Sequence, residues 1–181
     1  MRVLIAAIAC WGIGCAGAAS NVPVTDFRAS DVSLFDNSVD LVAAPVIVEG
    51  ASDAFERRVA RADFVASIRV LSLHIELIKH RSAYRLTAKV KEQLKGASTE
   101  ELELRVTDDE RGYRSVEANE DRLLHDPFIA FVKWESDPAS SELIAHWHLS
   151  PDSEAVRRKI DYVLRRPAPD PHTEVEVVES R

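Results

Sequence analysis

Residues 63–96, DFVASIRVLSLHIELIKHRSAYRLTAKVKEQLKG, decide the fold. In the second half Tyr84, Leu86, Ala88 and Val90 alternate with Arg85, Thr87, Lys89 and Lys91, the period of a half-buried antiparallel strand. In the first half Phe64, Ala66, Ile68 and Val70 hold one parity, and Leu71, Leu73, Ile75 and Leu77 hold the other. One extra residue in a strand sends every later side chain to the opposite face, so this flip predicts either a β-bulge in one long bent strand or two short strands with a kink between them. A long first strand bent in this way can close a small barrel by serving both halves of a curled sheet.

Working outward, residues 52–62 carry Phe55, Val59 and Ala62 on one helical face, with Ser52 as a candidate cap. Past Gly96, Leu102, Leu104 and Val106 alternate with charged residues as a third strand. Residues 107–126 are dense in charge and read as a solvated loop with one short strand or helical turn. PFIAFVKW, residues 127–134, is apolar on both parities, as a central strand covered on both faces would be. In ELIAHWHL, Leu143, Ala145, Trp147 and Leu149 point one way and Ile144, His146 and His148 the other. Ser150 and Pro151 then read as the start of a helix with the stripe Val156, Ile160, Val163 and Leu164. The expected fold is mainly β, of α+β type: a small five-stranded antiparallel barrel resembling an OB-fold, with a short N-terminal helix and a C-terminal capping helix.

The chain has 181 residues, 46% hydrophobic and 29% charged, with a formal charge of −7. Such a chain can bury a core, but it lacks the basic surface that general nucleic-acid binding requires. Residues 1–14 join one basic residue, Arg2, to the apolar run VLIAAIACWGIG and read as a signal peptide. Two cleavage readings compete. Gly12-Ile13-Gly14-Cys15 resembles a bacterial lipobox, with glycine where leucine is usual, and would leave Cys15 as a lipidated first residue. Ala16-Gly17-Ala18 is an ordinary A-x-A site that would release a soluble secreted protein after Ala18. The lipobox is preferred, because the other cut leaves a cysteine just before it to no purpose. Either way no cysteine pair remains to form an internal disulfide. Residues 15–50 then form a lipid tether and docking segment, 51–166 the domain and 167–181 a flexible tail. Asp31, Asp36, Asn37 and Asp40 lack the alternating oxygens and glycine of a calcium loop and read as turn formers.

Two resemblances follow from these stretches. ADFVASIRV, YRLTAKVKEQLKG and ELELRV resemble the opening strands of netrin-module-like barrels of exported bacterial proteins. SLFDNSVD, DPFIAFVKW and AHWHLSPDSE, with the strand pair, resemble uncharacterised myxobacterial-type predicted lipoproteins. The first likeness implies a fold; the second implies an envelope address and no particular activity.

The chemistry-bearing residues are few. His146 and His148 share a strand face and, with His125 or Asp126 as a third ligand from just before the 127–134 strand, would suit zinc or copper. No nucleophile elbow and no glycine-rich phosphate loop occur. The expected function is a non-enzymatic envelope lipoprotein with no cofactor. It would be held on the outer membrane or periplasmic face by lipid at Cys15, acting as a binding or accessory subunit for an envelope protein and not for nucleic acid. The alternative is a metal-binding protein or small metal-dependent hydrolase centred on His146 and His148. A secreted inhibitor that inserts its N-terminal segment into a protease cleft is a third reading, and the chain lacks the disulfide-fixed terminus that it needs.

Overall fold

The computed structural model describes residues 27–40, 51–78, 80–137 and 142–166. The elements are β1 (Ser38–Val39), α1 (Ala51–Arg61), β2 (Phe64–Ile78), β3 (Arg81–Lys95), β4 (Glu101–Thr107), α2 (Tyr113–Glu117), α3 (Glu120–His125), β5 (Pro127–Ser136), β6 (Leu143–Pro151) and α4 (Glu154–Arg165). The strands form one sheet in the order β1-β6-β5-β2-β3-β4. All pairs are antiparallel except β1 with β6.

The expected five-stranded barrel is therefore corrected to an open six-stranded sheet. The sheet curls without closing: β4 and β6 approach each other, yet no ladder joins them. The indole N–H of Trp147 on β6 donates instead to the carbonyl oxygen of Arg105 on β4, at 2.9 Å. The sixth strand comes from the docking segment, where two residues add in parallel beside His148 and Leu149.

The parity flip in β2 is a bulge. Val70 pairs with Ala88 and Ser72 with Thr87, leaving Leu71 without a partner. Val70 before it and Leu73 after it both face the core inside the curl. That core takes Phe64, Ala66, Ile68, Leu86, Leu104, Phe128, Val132, Trp147 and Leu149 from the strands. Its open side is plugged by Val116 of α2 and Leu123 of α3, both fully buried. The charged stretch expected to be a solvated loop is thus two short helices, each lending the core one side chain. On the outer face Val65, Ile129 and Phe131 meet Phe55 and Val59 of α1, Val156 and Ile160 of α4, and Leu34 and Phe35 of the docking segment. Being covered on both faces explains why β5 is apolar at both parities.

The cap of α4 is Ser153, whose hydroxyl accepts from the Val156 N–H at 3.3 Å. Ser150 and Pro151 instead complete β6. Gly96 ends β3 with φ +97°, where a Cβ would lie 2.3 Å from the Asp63 carbonyl oxygen, so the turn tolerates no side chain.

One charge pair is buried at the start of β2. Lys133 Nζ lies 2.9 Å from Asp63 Oδ1, the two side chains are 1% and 3% exposed, and Asp63 Oδ2 accepts the Trp134 N–H at 3.0 Å. Removing one partner of a buried pair strands the other charge. Lys133→Met should cost about 3–5 kcal/mol in denaturant unfolding, and adding Asp63→Asn, which keeps an acceptor for Trp134, should restore most of it. Two additive losses would mean that the pair does not act as a unit.

Candidate functional site

His146 and His148 stand on the outer face of β6, two residues apart as expected, and the docking segment covers them. Asn37 adopts φ +55° and clamps the chain onto β6: its N–H donates to the Trp147 carbonyl at 2.8 Å, and its side-chain oxygen accepts the Trp147 N–H at 2.9 Å. Gly112, at the start of α2, leaves room for this, since a Cβ there would sit 1.9 Å from the Asn37 carbonyl oxygen. The segment then runs past His148, with Asp36 and Asp40 on either side of the ring.

His148 is 4% exposed. Its Nδ1 lies 3.1 Å from Asp36 Oδ1 and 3.1 Å from Ser38 Oγ, while Nε2 lies 3.1 Å from Asp40 Oδ2 without the alignment of a hydrogen bond. Ser38 donates to Asp36 at 2.5 Å and Ser150 donates to Asp40 at 2.6 Å. Burial pushes both carboxyl groups upward, but the close approach and charge of His148 outweigh it, with the serine hydroxyls helping, and both sit below the ordinary carboxylate range. His146 Nε2 lies 2.8 Å from Glu135 Oε2, and its ring stacks on Phe27 at 4.3 Å between centroids. A cleft of about 530 Å³ opens beside it, with Asp36, Glu110 and Arg111 among its walls.

The two histidines are thus held by different carboxylates. His125 does not join them. It closes α3, its Nδ1 is 2.7 Å from the Asp121 carbonyl oxygen, and β5 begins just after it at Pro127. His146 pairs with Lys133, six residues beyond Pro127 on β5, which places His125 roughly 20 Å from His146 along the strand. Among the described residues no group of three histidines, cysteines or acids could hold a metal ion. Cys15 lies outside the described residues. Among these residues, no helix is long and apolar enough to cross a membrane.

What the arrangement does is fasten. Two carboxylates, an imidazole and two hydroxyls secure residues 36–40 across β6. A second tie is Asp31, which receives Arg61 through two nitrogens at 2.9 and 2.5 Å and is held below the ordinary carboxylate range first by that hydrogen bonding. No local signal announces that Asp36 would meet His148, since that contact spans 112 residues, and the Asp40 contact is nearly as distant. The signal that could have found the buried pair is Lys133 itself, a lysine inside an otherwise apolar run, which needs an anion when buried.

Two further features bear on binding. A pocket of about 220 Å³ opens at the end of the sheet where the Phe64 end of β2, the Glu101 end of β4 and the start of β6 converge around Trp134. On the other side the β2–β3 hairpin outruns its neighbours. β5 covers β2 only through Arg69, and beyond it residues 70–78 pair with β3 alone among the described residues. Ile75 and Leu77 there are 64% and 72% exposed.

The ties should show as acid sensitivity. Asp31, Asp36, Asp40 and Asp152 all have folded values below the ordinary one, so each stabilises the fold fully above about pH 4, and that contribution is lost as pH falls through the depressed values. Urea midpoints should drop between pH 5 and pH 2, and Asp36→Asn/Asp40→Asn should make the drop shallower. An unchanged slope would show that these two groups are not held as described.

Comparison with protein-family models, with curated proteins and with solved structures finds no match to the chain.

Proposed function

We propose that this protein is a non-enzymatic binding or accessory module of the cell envelope, exported with its leader and anchored by lipid at Cys15. Its working surface is the edge of β2 past Arg69, which no described strand covers, on a strand that α3 also packs against. The observation that carries this reading is the run of residues 70–78, which has one strand neighbour where the rest of β2 has two. A free edge offers a row of backbone donors and acceptors, and an extended segment of a partner protein can add to it as a further strand. Side chains supply the selectivity: Leu73, Ile75 and Leu77 recur at period 2 on one face, with His74 and Glu76 on the other. Glu76 is steadied by the guanidinium groups of Arg85 and Arg105 at 3.6 and 3.5 Å. The antiparallel run β6-β5-β2-β3-β4, curled round one core, supports the likeness to partly open OB-type folds, which bind through loops and an exposed sheet face. The tying of the histidines into the docking segment favours a binding role over the metal-centred alternative.

Two measurements test the two halves of the proposal. A palmitate analogue fed to producing cells should label the wild-type protein and not Cys15→Ser; equal labelling, or a mature terminus at Ala19, removes the lipid anchor. A photo-cross-linking residue at Leu77 of the full-length protein should capture one envelope protein, whereas the same residue at Leu164 on α4 should not. The Leu77 adduct should fall at least tenfold when Ile75→Lys is added. An adduct that survives the lysine, or one formed equally at both positions, contradicts strand addition at β2, and a homodimer adduct would identify the partner as a second copy.

A further inference from the structure

The β2–β3 hairpin fixes which backbone groups of β2 face outward past Arg69. Two residues separate the paired Ile78 and Arg81, and the pair that closes a two-residue hairpin exchanges both of its hydrogen bonds. Bonded and non-bonded pairs alternate from there, so Glu76 and His74 turn their N–H and C=O groups to β3, while Leu77, Ile75 and Leu73 turn theirs away from it. Ser82, opposite Leu77, shows the same phase. Its carbonyl oxygen accepts the Asp108 N–H at 2.9 Å and its N–H donates to Asp108 Oδ2 at 3.1 Å, both toward β4. α3 approaches β2 from the core face, where Leu123 is buried and Glu120 accepts the Tyr84 hydroxyl. Among the described residues no backbone hydrogen bond runs from α3 to residues 72–78.

The outward row Leu73, Ile75 and Leu77 reads the same from either end, with Ile75 at its centre. An antiparallel second copy with a two-fold axis at Ile75 sets Leu73 opposite Leu77 of that copy, Ile75 opposite Ile75 and Leu77 opposite Leu73, and each facing pair can exchange both hydrogen bonds. The side chains follow the same symmetry. Ile75 and Leu77, 64% and 72% exposed, cover their own counterparts on one face. On the other face exposed His74 meets Glu76 of the second copy, twice over, in the non-bonded pairs where side chains come closest. Glu76 already lies beside Arg85 and Arg105, at 3.6 and 3.5 Å, so it enters as an anchored acceptor, and His74 brings an N–H in either tautomer. Neighbouring registers fit less well. An axis at Glu76 opposes two carboxylates and sets Leu73 against the turn, and an axis at His74 opposes two imidazoles and brings the bulge at Leu71 against Leu77.

Resting on the strand-addition reading, we infer that the partner at this edge is a second copy of the chain, joined β2 to β2 as an antiparallel pair about a two-fold axis at Ile75, so that the two sheets become one. Pairing of this kind is closed, since each copy uses the same residues, and assembly through this edge stops at the dimer.

Isotope mixing tests the partner and the register together. Full-length protein with a photo-cross-linking residue at Leu77, mixed with an equal amount of ¹⁵N-labelled wild type, should give adducts of mixed isotopic composition whose second-copy end maps to residues 72–74. Sedimentation of the purified wild type should show a monomer–dimer equilibrium. His74→Glu, which sets like charges across the axis twice at an exposed position, should weaken that dimer about 2- to 30-fold, the worth of two cross-strand pairs. Retained thermal unfolding checks that this variant is folded. Mixed adducts that map to residue 77 or outside β2, a protein that stays monomeric up to its solubility limit, or a dimer unmoved by His74→Glu in the folded variant would each overturn the inference. If Leu77 captures a different envelope protein in cells while the purified chain gives no mixed adduct, strand addition at β2 stands and self-pairing is wrong. If neither experiment yields an adduct, both readings are wrong.

Discussion

The structure depends on one strand belonging to two environments. β2 must pair with β5 over residues 64–69 and with β3 along its whole length, while keeping its apolar side chains inside a sheet that bends. The bulge at Leu71 reconciles these demands. It turns Leu73 back onto the core face that Val70 occupies, and it raises the local twist where β5 leaves off. The curl then needs few further ties: Trp147 reaches across to Arg105 at the seam, and the two helices between β4 and β5 fill the interior. Because no ladder closes the seam, the fold keeps an end pocket and a free edge that a sealed barrel would lack.

The second layer is held by charge as much as by apolar packing. Among the described residues, the docking segment contributes Leu34, Phe35 and Val39 to the buried apolar residues, and residues 36–40 are secured by carboxylates around one imidazole. Breaking one side of such a cluster leaves buried polar groups without partners, so its members act together. The segment is therefore part of the folded unit, and any tether begins before it. Histidines that could have served a metal are here structural fasteners.

The sequence made the strands legible because each reports its own environment. Leu102, Leu104 and Val106 alternate because β4 has one wet face; β5 is apolar throughout because helices cover one side and the core the other. The parity flip located the bulge. Three things could not be read. Whether the sheet closes depends on β4 and β6 meeting across some forty residues, a contact without a local signal. The helices of residues 113–125 hide their function because single buried positions, Val116 and Leu123, sit among exposed charges. The partners of the histidines were hidden for a similar reason: spacing put His146 and His148 on one face, but only tertiary structure could decide that Glu135, Asp36 and Asp40 would reach them, and that His125 would stay at the far end of β5.

The most direct measurement is native-state amide hydrogen exchange along β2. An open sheet with a free edge beyond Arg69 predicts strong protection throughout residues 64–69, and alternate protection from 72 to 78, since every second amide there faces no strand. Uniform protection through Ile78 in the monomer would mean that something covers that edge, and would contradict both the open sheet and the binding surface drawn from it.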